Sequence, residues 1–354
     1  MPVSRPTYVT REEVARELDY HETPMSNARV DRAISTASRT VEGRLHRVFY
    51  PQQDTRSFNW PNRQRARPWR LWLDDNELIS ITTLSSGGET IAAGDYFLEP
   101  NTSGPPFNLV EIDLASSAAF GGGDTHQQSI TITGLFGYHD EETALGVTGE
   151  ALDAAETAVD VDAETSAEVG VGSILRVEEE RLLVTGRAQL DTGQTLANGA
   201  GLDDVASDVS VSVQDGGAFA VDEVLLLDSE RLLITDIAAN TLTVKRGWDG
   251  TVLTTHTQGA GIFAQRTLTV QRGALGTTAA AHALGAQVWR WDPPAPVKEL
   301  ALAEALNHLL QGGSGYARTV GSGDNERESS GRGLGDLRKT VKISHGRKAR
   351  HRGV

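Results

Sequence analysis

The feature that most constrains this chain is a repeat whose two copies do not lie end to end. TLTVKRGWDGTVLTTHTQGA (Thr241–Ala260) and TLTVQRGALGTTAAAHALGA (Thr267–Ala286) share TLTV-x-RG-x-x-GT, then His and Gly-Ala at matching distances. Upstream, VGSILRVEEERLLVT (Val171–Thr185) matches VDEVLLLDSERLLIT (Val221–Thr235). Within 221–260 the front motif runs directly into the back motif, and ERLLITDIAANTLTVKRG reads as a hairpin turning at Ala239-Asn240. The other copy is split, with its front at 171–185 and its back at 267–286. Two arrangements are open: a unit spanning 208–265 inserted into the turn of an earlier unit, or a plain tandem of half-units. Insertion requires the inserted unit's ends to lie close together. It predicts that the strand near Leu182–Val184 pairs with Leu268–Val270.

Charge marks the same region. The chain has 354 residues and a net charge of −15, and residues 140–290 hold 24 Asp/Glu against 9 Arg/Lys, so the whole excess sits there. The last nineteen residues, DLRKTVKISHGRKARHRGV, carry seven Arg/Lys and one Asp. With no Cys, disulfides, thiolate metal sites and a Cys nucleophile are excluded. The opening MPVSRPTYVTREE has no apolar leader and no apolar run approaches ~18 residues, so neither a secretory signal nor a membrane span is expected.

Helical signals flank the acidic region. Thr10 with Glu13 is a capping-box pattern opening a helix to about Asp19. Ser26 caps a second helix to about Phe49, whose stripe Val30, Ala33, Ile34, Ala37, Val41, Leu45 and Val48 has helical period. Its other face carries Arg29, Arg32, Arg39 and Glu42. From Thr55 to Tyr138 the runs SFNW, RLWLD, LISITTL, DYFLE, NLVEIDL and SITITGLFGY alternate with turn residues and predict antiparallel hairpins. After Pro293, VKELALAEALNHLLQ predicts a helix apolar nearly all round, held between neighbours. The polar, Gly-rich stretch beyond Gly312–Gly313 predicts an extended segment.

The fold class expected is therefore α+β: a helical base domain with antiparallel β-hairpins, plus an all-β insertion made of two nested small β modules. The boundaries expected are 1–139 with 292–320 for the base, 140–207 with 266–291 for the outer module, 208–265 for the inner one, and 321–354 for an extended basic C-terminal arm.

Motifs for chemistry are scarce. The chain lacks GxxxxGK[ST], HExxH, GxSxG and DxDxDG patterns. GGGDTHQQS at 121–129 lacks a following helix and reads as a hairpin tip. His256 and His282 occupy equivalent repeat positions, but two imidazoles without a third ligand make a weak metal site, and structural roles are expected. Glu178-Glu179-Glu180 and Asp74-Asp75 are adjacent pairs that a strand turns to opposite faces, so they read as solvated charge runs. Arg246-Gly247 and Arg272-Gly273 should end strands. Arg63, Arg65, Arg67 and Arg70, interleaved with Trp60, Trp69 and Trp72, form a basic–aromatic cluster suited to nucleic acid or to an acidic protein neighbour. No catalytic, cofactor or metal residues are assigned, and an enzyme is not expected.

The order of YVTREEVARELD, DRAISTASRTVEGRLHRVFYP, SITTLSSGGETIAAGDYFLEP, PPFNLVEIDL and SITITGLFGY, then PAPVKELALAEALNHLLQ and GLGDLRKTVKIS, resembles the head-to-tail adaptor (connector) proteins of tailed bacteriophages. The resemblance covers 7–138 and 293–344; the β insertion departs from it. It implies a structural virion protein of the neck, assembled in the host cytoplasm. Such a protein forms a homo-oligomeric ring, commonly of twelve subunits, docked under the portal protein. It joins the portal to a stopper or tail terminator protein while double-stranded DNA passes through the lumen, with no membrane and no cofactor. Arg29, Arg32, Arg39 and Glu42 are then candidates for inter-subunit contacts. Asp336, Arg338, Lys339, Lys342, Ile343 and Arg347 are candidates for a portal-binding arm. The alternatives are another neck or tail structural protein, a tail-associated carbohydrate-binding or hydrolytic protein, or a DNA-binding protein using the 336–352 tail.

Overall fold

The computed structural model describes residues 4–18, 26–60, 67–121, 123–313, 319–320, 327–328 and 331–347. It is a mixed α+β structure with antiparallel sheets. The chain divides into two compact units, one of 1–44, 142–274 and 278–346, the other of 45–141, 275–277 and 347–354.

In the first unit, helix α1 (Arg11–Leu18) opens on the expected capping box: Glu13 N–H donates to Thr10 Oγ1 at 3.1 Å and Thr10 N–H to Glu13 Oε2 at 2.8 Å. Helix α2 (Asn27–Leu45) buries Val30, Ala33, Ile34, Ala37, Val41 and Leu45, the stripe read from the sequence. It stops four residues before the expected Phe49, because His46 adopts a left-handed φ of 53°. Val48 is accordingly outside the helix and exposed.

The second unit's strands are β1 (Gln52–Phe58), β2 (Arg70–Trp72), β3 (Leu78–Ser86), β4 (Glu89–Ile91), β5 (Tyr96–Glu99), β6 (Leu109–Ile112) and β7 (Ile130–Phe136). They form a four-stranded sheet, order β1-β7-β3-β4, and a three-stranded sheet, order β2-β6-β5. Strict alternation in β7 buries Ile130, Ile132 and Phe136 and turns Thr131 and Thr133 away. Leu71, Leu78, Leu84, Val110 and Ile112 complete that core.

The acidic region, in the first unit, contributes β8 (Glu142–Val147), β9 (Ala158–Asp160), helix α3 (Ala163–Glu168), β10 (Ile174–Val177), β11 (Glu180–Thr195), β12 (Ser210–Ser212), β13 (Val224–Leu227), β14 (Glu230–Ala238), β15 (Thr241–Lys245), β16 (Gly261–Gln271) and β17 (Gln287–Trp291). One sheet holds these strands in the order β12-β15-β14-β13-β16-β11-β10-β17-β8, with β9 also on β16. In it Leu183 faces Gln271 and Val184 faces Val270, across the split copy of the repeat. In the unbroken copy the equivalent pairs are Leu233 with Lys245 and Ile234 with Val244. Both pairings slip at a bulge, between Val184 and Gly186 and between Ile234 and Asp236. Two separate apolar clusters lie beneath, one around Leu175, Leu182, Val184 and Leu268, the other around Leu225, Leu232, Ile234 and Leu242.

Helix α4 (Ala295–Gly313) and helix α5 (Gly331–His345) complete this unit. Val297, Leu300, Ala301, Ala305 and Leu309 of α4 are buried, yet Leu310 is exposed, so the helix has a solvent face. Two expectations need correction. Residues 331–345 are not an extended arm: they are helical, because Val341 is buried and Arg338 forms a bidentate pair with Glu304 of α4 at 2.6 Å. The rest of the 321–354 arm, apart from 327–328, 346 and 347, lies outside the described residues. The units also differ from the expected base domain. The helical pieces belong with the acidic β region, while the hairpins form a unit of their own. The physical reason for the first grouping is the docking of residues 7–16 on the loop before β10, described below.

Candidate functional site

The most elaborate polar constructions are two carboxylate-centred clusters, one per copy of the repeat. In the unbroken copy, Glu230 begins β14 and points inward. Arg246, just past the end of β15, gives it two bonds, from Nε at 2.7 Å and Nη2 at 2.8 Å. The Gly247 and Thr254 amides and His256 Nε2 complete its partners at 2.8, 3.1 and 3.0 Å. The other His256 nitrogen lies 2.8 Å from Asp228, and Arg246 Nη1 donates to the Asp203 and Asp208 carbonyls.

The split copy repeats this arrangement, with Glu178 in place of Asp228. Glu180 receives Arg272 Nε at 2.8 Å and Nη2 at 2.9 Å, the Gly273 amide at 2.8 Å, the Ala280 amide at 3.0 Å and His282 Nε2 at 2.9 Å. His282 Nδ1 meets Glu178, and Arg272 Nη1 donates to the Asp153 and Glu156 carbonyls. Burial pushes the Glu180 carboxyl up, but Arg272, the Ala280 and Gly273 amides and His282 outweigh it and hold it at about 2 against an ordinary 4.5. Glu230 is likewise pushed up by burial and held at about 2 by Arg246, His256 and the Thr254 and Gly247 amides. Each carboxylate takes five donors and each imidazole both its neighbours. That arrangement closes a loop, and it leaves no lone pair aimed at a substrate. Among the described residues, no group of three His, Cys, Asp or Glu is placed to hold a metal ion.

Glu180 overturns its reading as part of a solvated run. Strand alternation alone would put Glu178 and Glu180 on one face, but the turn at 178–179, with Glu178 at a left-handed φ of 52°, reverses the chain, leaving Glu178 at the surface and sending Glu180 inside. Arg246 and Arg272 do follow strand ends, but as buried partners of those glutamates. Sequence reasoning missed the pairing although its signal was present: E-R-L-L and R-G recur together in both copies. It also missed that Leu152-Asp153 and Leu202-Asp203 recur. Leu152 bridges to His282 and Leu202 to His256 in the same way.

The proposed contact residues fall into two groups. On α2, Arg29 donates to the Leu309 carbonyl at 3.0 Å and Arg39 to the Pro6 carbonyl at 2.6 Å. Glu42 takes Tyr8 Oη at 2.8 Å and Arg39 at 2.9 Å, and burial pushes its carboxyl above the ordinary range. These three act within the chain, while Arg32 is exposed. On α5, Arg338 is held by Glu304, and Arg347 beyond the helix pairs with Asp75 and lies 3.7 Å from Glu77. Asp336, Lys339, Lys342 and Ile343 are exposed.

Arg63 and Arg65 of the basic–aromatic cluster lie outside the described residues. Arg70 forms a bidentate pair with Glu111, and Trp60 and Trp69 pack on the hairpin core, which leaves Arg67 and Trp72 as the exposed members described. Asp74 and Asp75 occupy the turn after β2, and 123–129 lie in the loop before β7, where the His126 carbonyl accepts from the Trp60 amide at 2.8 Å. No helix among the described residues is long and apolar enough to cross a membrane. No protein-family profile, curated protein or solved structure matches the chain.

Proposed function

We propose that this protein is a head-to-tail adaptor of a tailed bacteriophage, a non-enzymatic ring subunit between the portal and the stopper or tail, decorated by an acidic β insertion of two nested modules. The observation that carries the reading is the joining of helices from opposite ends of the chain. Glu304 of α4, almost fully buried, takes Arg338 of α5 on one side and Arg44 of α2 at 3.6 Å on the other. Lys298 at the start of α4 meets Glu13 of α1 at 2.5 Å, and Arg29 of α2 reaches the end of α4. A wedge of this kind, built from both termini, can stand beside copies of itself around a central channel.

Nesting is supported by the same glutamate–arginine pairing occurring twice, once across 16 residues and once across 92. Charge fits the ring as well: residues outside 140–290 balance to zero, so a lumen built from them need not grip DNA phosphates. The saturated state of the two glutamate clusters favours this reading over a glycosidase, whose paired carboxylates must face a cleft.

The test is native mass measurement of the purified chain, alone and with the portal protein of the same phage. A ring that forms on the portal is the expected result. A chain that never associates with the portal would remove the adaptor assignment.

A further inference from the structure

The two repeat copies treat one loop differently. In the split copy the loop before β10 is a docking surface. Thr7 N–H donates to the Gly172 carbonyl at 3.4 Å, Arg11 N–H to the Val171 carbonyl at 3.2 Å, and Val171 N–H to Glu12 Oε2 at 2.7 Å. Residues 169–175 are all buried as a result. The approach is close: a Cβ at Gly170 would lie 2.3 Å from Glu12 Oε2, and one at Gly172 1.9 Å from Thr7 Oγ1.

In the unbroken copy the same positions are Ala220, Val221 and Asp222, ahead of Val224. The Cβ atoms of Ala220 and Asp222 forbid the backbone approach that Gly170 and Gly172 allow, so a segment like Thr7–Glu12 does not fit there. Val221 is 45% exposed where Val171 is fully buried, and α1 reaches this loop through Arg16, which donates to the Asp222 carbonyl at 3.2 Å and lies 3.8 Å from the Asp222 carboxylate. Whatever covers the face must do so through side chains, with an apolar group for Val221 and further positive charge for the Asp222 carboxylate, which stays 48% exposed beside Arg16.

The chain carries a matching surface. Lys339, Lys342 and Ile343 stand at i, i+3 and i+4 on α5, one face of the helix. Ile343 is 77% exposed, and both lysines are exposed beside it. We propose that this α5 face docks on the Ala220–Val224 loop of a second copy of the chain. The proposal rests on the ring reading and names its lateral contact: two different patches of one chain make a head-to-tail interface, the kind that closes into a ring. It moves Lys339, Lys342 and Ile343 from a portal contact to a neighbour contact.

The absence of cysteine gives a clean test. Val221 and Ile343 are both exposed, so replacing them leaves each core intact. Assembled with the portal and oxidised, a chain carrying both Val221→Cys and Ile343→Cys should give a covalent ladder of dimers, trimers and larger species. An equimolar mixture of the two single variants should stop at dimers, and neither single variant should crosslink alone. Monomers only, an internal crosslink, or dimers from one single variant would each overturn the contact. Charge reversal supplies the second arm. Asp222→Lys should lower ring yield at least tenfold, and adding Lys339→Asp with Lys342→Asp should restore it. Unchanged yield in Asp222→Lys, or failure of the lysine variants to bind the portal even as monomers, would count against the proposal. If the unmodified chain forms no ring with portal at all, the adaptor reading fails first, separately from the contact.

Discussion

The two glutamate clusters are the same object closed over different lengths of chain. Glu230 and Arg246 are 16 residues apart, whereas Glu180 and Arg272 are 92 apart with the whole unbroken copy between them. Their distances agree within a few tenths of an ångström, so the local energies of the two should match. Closure differs. Each doubling of a loop costs about 0.6 kcal/mol, so the longer closure is about 1.5 kcal/mol more expensive in chain entropy. The inserted copy lowers that figure by folding itself and bringing residues 195 and 261 face to face, as Thr195 pairs with Gly261. A split fold of this kind is sustained by the insert.

The largest effect should come from removing either carboxylate. Glu230→Ala or Glu180→Ala leaves a buried guanidinium unpaired, at a cost of about 3–5 kcal/mol. The two variants should differ in what opens. With Glu230→Ala, amide exchange should accelerate across 224–245 and then, because the insert closes the longer loop, across 182–184 and 268–270. With Glu180→Ala, exchange should accelerate across 174–184 and 267–271 while 224–245 stays protected. Equal loss of protection in both variants would show that β11 and β16, which serve both copies, couple them into one cooperative block.

Arg246→Lys and Arg272→Lys come next. A lysine keeps the charge but cannot reproduce the fork on the glutamate together with bonds to three carbonyls. Losing charge-assisted bonds of this kind costs about 2–3 kcal/mol, read as a shift in the urea midpoint. A larger loss for Arg272 than for Arg246 would measure the closure difference directly.

Much of this was legible in advance, and the pattern of success is instructive. The α2 stripe, the β7 alternation and the Thr10–Glu13 capping box each depend on local periodicity or local bonding, which sequence records directly. The repeat also carried the long-range pairing of Val184 with Val270, because the unbroken copy supplied a template for the split one. What sequence did not reveal was direction and partner. Glu178, Glu179 and Glu180 are chemically alike, and only the turn at Glu178 sends the third one inside. The α5 helix was hidden by three glycines in GRGLGDLRK, which depress intrinsic helicity. It forms because Arg338 finds a buried carboxylate 34 residues away. The same tertiary bond gives Arg338, expected as a contact residue for a partner, a role within the chain.

Acidity should act on both copies together. Glu180 and Glu230 are held at about 2, below the ordinary 4.5, so the folded state binds their protons more weakly than the unfolded chain. Their contribution is fully present above about pH 4.5 and is lost as pH falls from there towards 2. Melting temperature should therefore drop across that window, and Glu180→Gln and Glu230→Gln should each flatten the drop while lowering stability at pH 7. A melting profile flat from pH 5 to 2.5 would remove these carboxylates as the source.

The smallest effects lie at the loop that differs between the copies, and they sharpen the comparison most. Gly172 has a φ of 104° and Thr7 against it, so Gly172→Ala meets both an unfavourable backbone and a clash. That substitution should cost more than about 1 kcal/mol and loosen residues 7–16, seen as faster exchange at Thr7 and Arg11. Asp222 already sits at a φ of 72°, and Asp222→Gly removes that strain at the loss only of a half-exposed ion pair with Arg16, so stability should rise by less than about 1 kcal/mol. The opposite signs follow from one cause. In the split copy the left-handed residue is glycine because another segment lies on it, and in the unbroken copy a side chain is retained there against its own backbone preference. If Asp222→Gly leaves the fold as stable as before but lowers ring yield, that retained carboxylate acts between chains.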